Sequence, residues 1–477
     1  MGKTEWLACS ALAATLVYIF PQHFIVDRIS RSAIRFLLVD VSLFSFWRMF
    51  IYPFFFSPLR HLPGPVSHNY LWGNGTAQFT KPPGHEIKEF VKNVPNDGLI
   101  RIRSFGNIER LIPTSPQVLK SILADNSYDY EKPYGVRKFL SLILGEGPIM
   151  SEGSLHKFQR KHLLPAFQVK HIRGLYPVFW AKALGLVEGI SQEISETSTL
   201  EKRNESHIEF NEWATRVTLD IIGVAGVGRD FGALRNPDDP LVRDYNELLE
   251  PTFSKGLYFA ANIFGPQDLI QKLPFKYSKV IAETTGNLRT FCREVIDKKR
   301  QAVSEGKTVD GMDILSILVR SNDFSNEDLE DQLLTFLAAG HETTSSALTW
   351  AIYLLAIHPE WQTKLRQEIH AAIPSPSDPN SPQPDHTIID SLPILNAMIQ
   401  ETLRLYPTVP LSVRRPPAYY QHLTPQLRTH LPSPRNTRAY FPAGHQPIAA
   451  SLGSQSRRVV SGALAPRWMC EYWWCGE

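Results

Sequence analysis

The chain has 477 residues, of which 43% are hydrophobic and 20% charged, and a formal net charge of +3. That is the composition of an ordinary globular protein, long enough to bury a large core as one big domain or two, and its charge argues neither for nor against nucleic acid. Four cysteines (Cys9, Cys292, Cys470 and Cys475) exclude a disulfide framework and fit a reducing compartment.

Residues 7–20 are almost wholly apolar, and a second apolar run covers residues 36–56, interrupted by Asp40 and Arg48. No small-residue cleavage site follows the first run, so a retained anchor is expected rather than a signal peptide. The second run is long enough to span a bilayer, but Asp40 and Arg48 are costly at its centre. It reads as a second membrane segment or as an interfacial helix. Arg28, Arg31 and Arg35 between the runs obscure orientation by the positive-inside rule. Residues 1–56 are therefore expected to be a membrane anchor of one or two segments. Residues 57–65 (SPLRHLPGP) follow as a stiff, extended, proline-rich hinge.

Between residues 84 and 415 the pattern is mostly helical. Apolar residues recur at helical spacing over 176–197, 241–250, 278–304, 327–357 and 359–372. Residues 98–114 alternate as a small sheet would, and 374–386 (PSPSDPNSPQPDH) form a Pro/Ser loop. The fold class expected is mainly α with a minor β-sheet.

Residues 339–344 read Ala-Gly-His-Glu-Thr-Thr inside the long helical pattern 327–357. Gly340 costs about 1 kcal/mol of helix stability relative to alanine, and Thr343 and Thr344 are poor helix formers. Small residues there let a flat cofactor approach the backbone, and a hydroxyl beside an acid can relay protons. The plain alternative is a helix kink. His341-Glu342 begins a zinc-protease motif, but the second histidine is replaced by Ser345, which rejects that chemistry. Glu401 and Arg404 lie three apart, on one face of another helical pattern. Alone, that spacing usually marks a solvated surface pair. Its apolar neighbours (NAMIQETLRLYPTVP) suggest burial, which would call for further partners.

These two motifs, in this order and about sixty residues apart, resemble the oxygen-activating helix and the Glu-x-x-Arg helix of the cytochrome P-450 (haem-thiolate monooxygenase) family, fungal microsomal type. Residues 153–167 resemble its Trp-x-x-x-Arg helix, with His156 at the Trp position and Arg160 four later. The hinge resembles that of membrane-bound members. The resemblance implies that Thr343 orients the bound oxygen and that Glu342 joins the proton relay. It implies that Ala339 and Gly340 flank haem b, and that His156, Arg160 and Arg414 face its propionates. Glu401 and Arg404 would form the structural ion pair. It further implies an NADPH-dependent cytochrome P-450 reductase, an apolar small-molecule substrate, the endoplasmic reticulum membrane with a cytosolic head, and no nucleic acid. With the head in the cytosol, the glycosylation triplets at Asn74 and Asn204 would go unused.

The resemblance covers residues 57–415, with the core at 66–415, and then stops. Residues 416–470 contain no Asp, Glu or Lys, although the chain has 47 acidic residues. The family's Phe-x-x-Gly-x-Arg-x-Cys-x-Gly loop, whose thiolate holds the iron, is absent. Cys475-Gly476 echoes its end but lacks the preceding Phe, Gly and Arg. The genetic code offers an explanation. Degenerate codons for Ala439–Ser454, read one base later, permit Ile-Asn-Arg-Ser-x-x-Leu-Trp-Gly-Pro. Those for Val459–Met469 permit Pro-Glu-Arg-Trp. Both are segments the family places after its Glu-x-x-Arg helix. Residues 416–477 are therefore expected to be an aberrant tail, out of frame, that leaves the fold without its C-terminal part. The function expected is oxidation of an apolar small molecule, in fungal secondary metabolism or as a fatty-acid hydroxylase. The alternative is a haem-free, inactive remnant.

Overall fold

The computed structural model describes residues 2–19, 29–67, 69–75, 85–201, 208–236, 242–243, 247, 252–265, 267–273, 275–306, 312–373, 383–409 and 411–415. The chain divides into two compact units, Met1–Glu131 together with Arg415 onward, and Lys132–Arg414.

The first unit opens with α1 (Gly2–Ile19) and α2 (Ile29–Phe46), continued by a π-helical segment, Trp47–Phe56. The second apolar run is thus no single straight α-helix. It changes register at Trp47, and Pro53, which has no N–H to give, sits inside the wider π turns. Among the described residues no helix is long and apolar enough to cross a membrane. Then come α3 (His85–Asn93), the strands β1 (Leu99–Arg103) and β2 (Glu109–Pro113), and α4 (Pro116–Lys120). The strands pair antiparallel, Ile100 opposite Ile112, as the alternation over 98–114 requires. Ile100, Ile102 and Ile112 form a small core against Ile87, Phe90, Val91 and Val94.

The proline-rich stretch is not a free spacer. The Pro63 carbonyl accepts the Arg101 N–H at 2.8 Å. Gly64 lies so close to β1 that a Cβ would sit 2.1 Å from the Arg101 carbonyl oxygen. Missing N–H groups leave this stretch short of donors, and the edge of β1 supplies one.

The second unit holds α5 (Tyr134–Leu144), α6 (Gly153–Leu163), α7 (Val169–Gly174), α8 (Tyr176–Glu201), α9 (Phe210–Ile222), α10 (Phe253–Phe264), α11 (Gln267–Ile270) and α12 (Lys276–Ser304). It continues with α13 (Ile314–Ser321), α14 (Asn326–Ile357), α15 (Pro359–Ala372), α16 (His386–Asp390) and α17 (Pro393–Leu405). The expected helices at 176–197, 278–304, 327–357 and 359–372 are present. That at 241–250, most of the 374–386 loop, and Asn204 lie largely outside the described residues.

α14 is the axis of this unit. Its start is fixed by a capping box, in which Asp328 N–H donates to Ser325 Oγ at 3.1 Å and Ser325 N–H to Asp328 Oδ2 at 3.2 Å. Leu329, Leu333, Leu334 and Leu337 are almost fully inaccessible in the main core, and each such side chain contributes about 1.5–3 kcal/mol. Arg289 and Arg293 of α12 reach across to Asp331 and Glu330 of α14, at 2.9 and 2.7 Å. Asp331 also accepts the Glu146 N–H at 2.9 Å, and Thr335 Oγ1 donates to the Leu144 carbonyl at 2.9 Å. The α5–α6 loop is thereby pinned to α14, and α6 follows from it. Replacing Leu333 by Ala is expected to lower stability by about 2–5 kcal/mol, read as a shifted denaturation midpoint in urea.

Candidate oxygen-activating site

The residues of the 339–344 motif divide between two sides of α14. At 100° per residue, Thr335, Ala339, Glu342 and Thr343 fall on one side, which Thr335 turns toward the α5–α6 loop. Gly340 falls on the other. A Cβ there would stand 2.7 Å from Ile222 Cδ1 of α9. The missing side chain of Gly340 thus makes room for a neighbouring helix, while Ala339 keeps the open face small. α14 runs unbroken through the motif as a regular helix. The tolerance for Gly340 comes from packing on α9, reinforced by Thr218 Oγ1, which donates to the His341 carbonyl at 3.1 Å. Thr218 carries no sequence signal of this role.

His341 is buried, its Nδ1 2.7 Å from the Leu337 carbonyl, and burial lowers its pKa, with that backbone contact acting the other way. It is a structural imidazole. Thr343 Oγ1 donates to the Ala339 carbonyl at 2.7 Å, which leaves its oxygen lone pairs as acceptors on the open side. Glu342 is exposed by surface area, yet the protein around it desolvates the carboxylate and raises its pKa above the ordinary 4.5.

His156 and Arg160 are one turn apart on α6, His156 half-buried and Arg160 exposed. Burial lowers the His156 pKa, Lys132 and Arg160 lower it further, and Glu152 opposes them. Lys132 is itself held by Glu152 at 3.1 Å and by the Ser151 carbonyl at 3.0 Å. Arg160 therefore supplies the free charge here and His156 a neutral donor, a pair suited to a carboxylate, while Lys132, which the motif search missed, is already paired with Glu152. Arg414 is exposed and bonds locally, to Ser412 Oγ at 2.7 Å and the Val413 carbonyl at 3.0 Å.

Glu401 and Arg404 pair on α17, Nε to Oε2 at 2.7 Å. The burial suggested by their apolar neighbours is not found: 53% of the Glu401 side chain is accessible. Those neighbours serve other contacts. Tyr406 stacks flat on Trp350 of α14, ring centroids 3.8 Å apart, and Thr402 is the buried residue of α17.

Solved structures share this architecture. The haem domain of cytochrome P450DA superposes with a TM-score of 0.58 over 72% of this chain and 70% of its own, at 19% identity, a likeness of fold. The cytochrome P450 monooxygenase sphH of Aspergillus fumigatus is 38% identical over 413 residues, 86% of this chain and 75% of the relative. The monooxygenase buaD of Petromyces alliaceus is 36% identical over 84% of this chain and 72% of its own, and ALT8 of Alternaria alternata 36% over 77% and 66%. The chain thus spans between 66% and 75% of the length of these relatives. The family model for cytochrome P450 matches residues 63–418, about three quarters of the chain. The chain belongs to the cytochrome P450 family, whose cofactor is haem b.

The described residues fit that cofactor only in part. They supply a small-residue face on α14 and, on α6, Arg160 with the neutral donor His156, but no axial thiolate. Of the two described cysteines, Cys9 lies in the other unit. Cys292 is fully buried in α12, and burial pushes its pKa up to about 12, which keeps it a thiol. Cys470 and Cys475 lie outside the described residues.

The raised Glu342 pKa carries a sign. The folded state holds this proton more tightly than the unfolded chain. Its contribution is therefore fully present below pH 4.5 and is lost as pH rises through the folded value. Glu342→Gln is expected to match the parent in stability below pH 4.5 and to gain on it above, checked by urea unfolding across a pH series.

Proposed function

We propose that the gene behind this chain encodes a monooxygenase that places one oxygen atom into an apolar small molecule of fungal secondary metabolism, such as a terpenoid or polyketide. The observation that carries the reading is the open face of α14. There Ala339 leaves space, the Thr343 oxygen is free to accept, and Glu342 holds its proton more tightly than an ordinary carboxyl. A hydroxyl next to such an acid can pass protons inward from solvent. Haem, when bound, supplies the oxidising chemistry. Arg160 and Arg414 are the cations, and His156 a neutral hydrogen-bond donor, proposed for its carboxylates, and Glu401–Arg404 is proposed as a structural ion pair. Electrons would come from an NADPH-dependent reductase, with the head on the cytosolic side of the endoplasmic reticulum membrane. Family resemblance supports that arrangement. A fatty acid would suit the same apolar requirement.

Residues 416–477 are proposed to be read out of frame. The family match ends at residue 418, beside the point where acids and lysines vanish from the sequence. The absence of a thiolate among the described residues favours a second reading for the polypeptide as given, an inactive remnant that holds no haem through sulfur.

Expression with haem supplied, followed by a reduced carbon monoxide difference spectrum, separates these. The chain as given is expected to show no thiolate-type band. A version continued in the shifted frame is expected to show it. A thiolate band from the given sequence would refute the remnant reading and turn attention to Cys475.

A further inference from the structure

Three elements of the first unit meet around a cleft of about 270 Å³. Phe54 of the π-helical segment forms one wall, Arg60, Leu62 and Pro65 of the proline-rich stretch a second, and Arg101 and Arg103 of β1 the third. The proline-rich stretch reaches the strand because Gly64 has no side chain to hold it off.

The cleft is rich in arginine and poor in acid. Arg101 is committed: its Nε stands 2.7 Å from Glu109 Oε1, and its Nη2 donates to the Pro53 carbonyl at 2.6 Å. Ser57 Oγ also donates to Glu109, at 2.7 Å. Glu109 is thereby taken up by Arg101 and Ser57. Arg60 and Arg103 have no such partner, and no carboxylate among the described residues lies within ion-pair distance of either. Arg60 is exposed and gives one N–H to the Phe55 carbonyl.

Arg103 is half-buried, with its guanidinium 4.4 Å over the Phe54 ring. Stacking covers a face of the guanidinium and leaves its N–H edge without a hydrogen bond among the described residues. Burial and the neighbouring Arg101 charge both disfavour the cation, while Glu109 and Tyr70 favour it. A partly desolvated cation with idle donors is costly, and an anion in the cleft would offset that cost.

Charge and shape narrow the ligand. Two guanidiniums without a counter-charge match a dianion. A phosphate monoester carries a charge of about −1.5 to −2 at pH 7 and three strong acceptor oxygens, and arginine meets such a group with paired N–H···O bonds. The rest of the lining, Leu62, Pro65 and the Phe54 ring, is apolar and gives an organic body a surface to pack on.

We propose that this cleft binds a small soluble phosphate monoester, held by Arg60 and Arg103, while Arg101 and Glu109 fix the strand that carries the site. The site belongs to the first unit and requires no haem, so it stands or falls separately from the oxidation reading above.

The test is calorimetric titration of the full chain, in a non-ionic detergent at constant ionic strength, with phenyl phosphate. Saturable one-to-one binding is expected. Benzoate, planar and singly charged, is expected to bind about tenfold more weakly or worse. Arg60→Gln and Arg103→Gln are each expected to weaken phenyl phosphate by about tenfold or more, the loss that follows removal of a charge-assisted hydrogen bond. Arg60 is exposed, so its variant decides the matter even where Arg103→Gln fails to fold. Benzoate binding as tightly as phenyl phosphate would overturn the dianion assignment. A response that follows ionic strength alone, or is unchanged in both variants, would overturn the site. Recruitment to phosphatidic acid vesicles without binding of phenyl phosphate would give these arginines to a lipid surface and overturn the soluble ligand.

Discussion

The docking of α14 against its neighbours decides the rest of the second unit. A 32-residue helix that contains Gly340 and four threonines is weak by intrinsic propensity. It persists because its leucines are buried, because α12 neutralises Glu330 and Asp331, and because α9 fits into the gap left by Gly340. The same contacts leave the Ala339–Thr343 face uncovered, and they pin the α5–α6 loop that leads to His156. Packing and site are one arrangement. A methyl group on Gly340 or a lost charge on Asp331 would move both.

Much of this was legible in the sequence. The 3.6-residue period of 327–357 marks α14, and the alternation at 98–114 marks the strand pair. The order of the motifs identifies the family. Other features follow from tertiary contacts that no local pattern encodes. Gly340 reads equally well as space for a cofactor and as space for a helix, and only the position of Ile222 decides. Glu401 sits among apolar residues that bury themselves elsewhere, leaving it in solvent. The run 36–56 reads as a second membrane segment or an interfacial helix, and its second half is a π-helical segment with Pro53 inside it. The division at Glu131 leaves no trace in composition.

The chemistry is correspondingly lopsided. Acid, hydroxyl and small residue stand together on α14, and Arg160 stands with His156 on α6. The sulfur that would complete a haem centre is missing from the described residues. Cys292 cannot substitute, since burial holds it as a thiol inside the core. The proposed loss of the reading frame after Arg415 would account for that imbalance.

The most direct test is therefore the transcript sequence from the codon for residue 400 onward to the stop. The account expects the shifted frame after Arg415, restoring Pro-Glu-Arg-Trp and then a Phe-x-x-Gly-x-Arg-x-Cys-x-Gly loop. A transcript that keeps the present frame through Glu477 would contradict it, and any oxidation assigned to this gene would then belong to another protein.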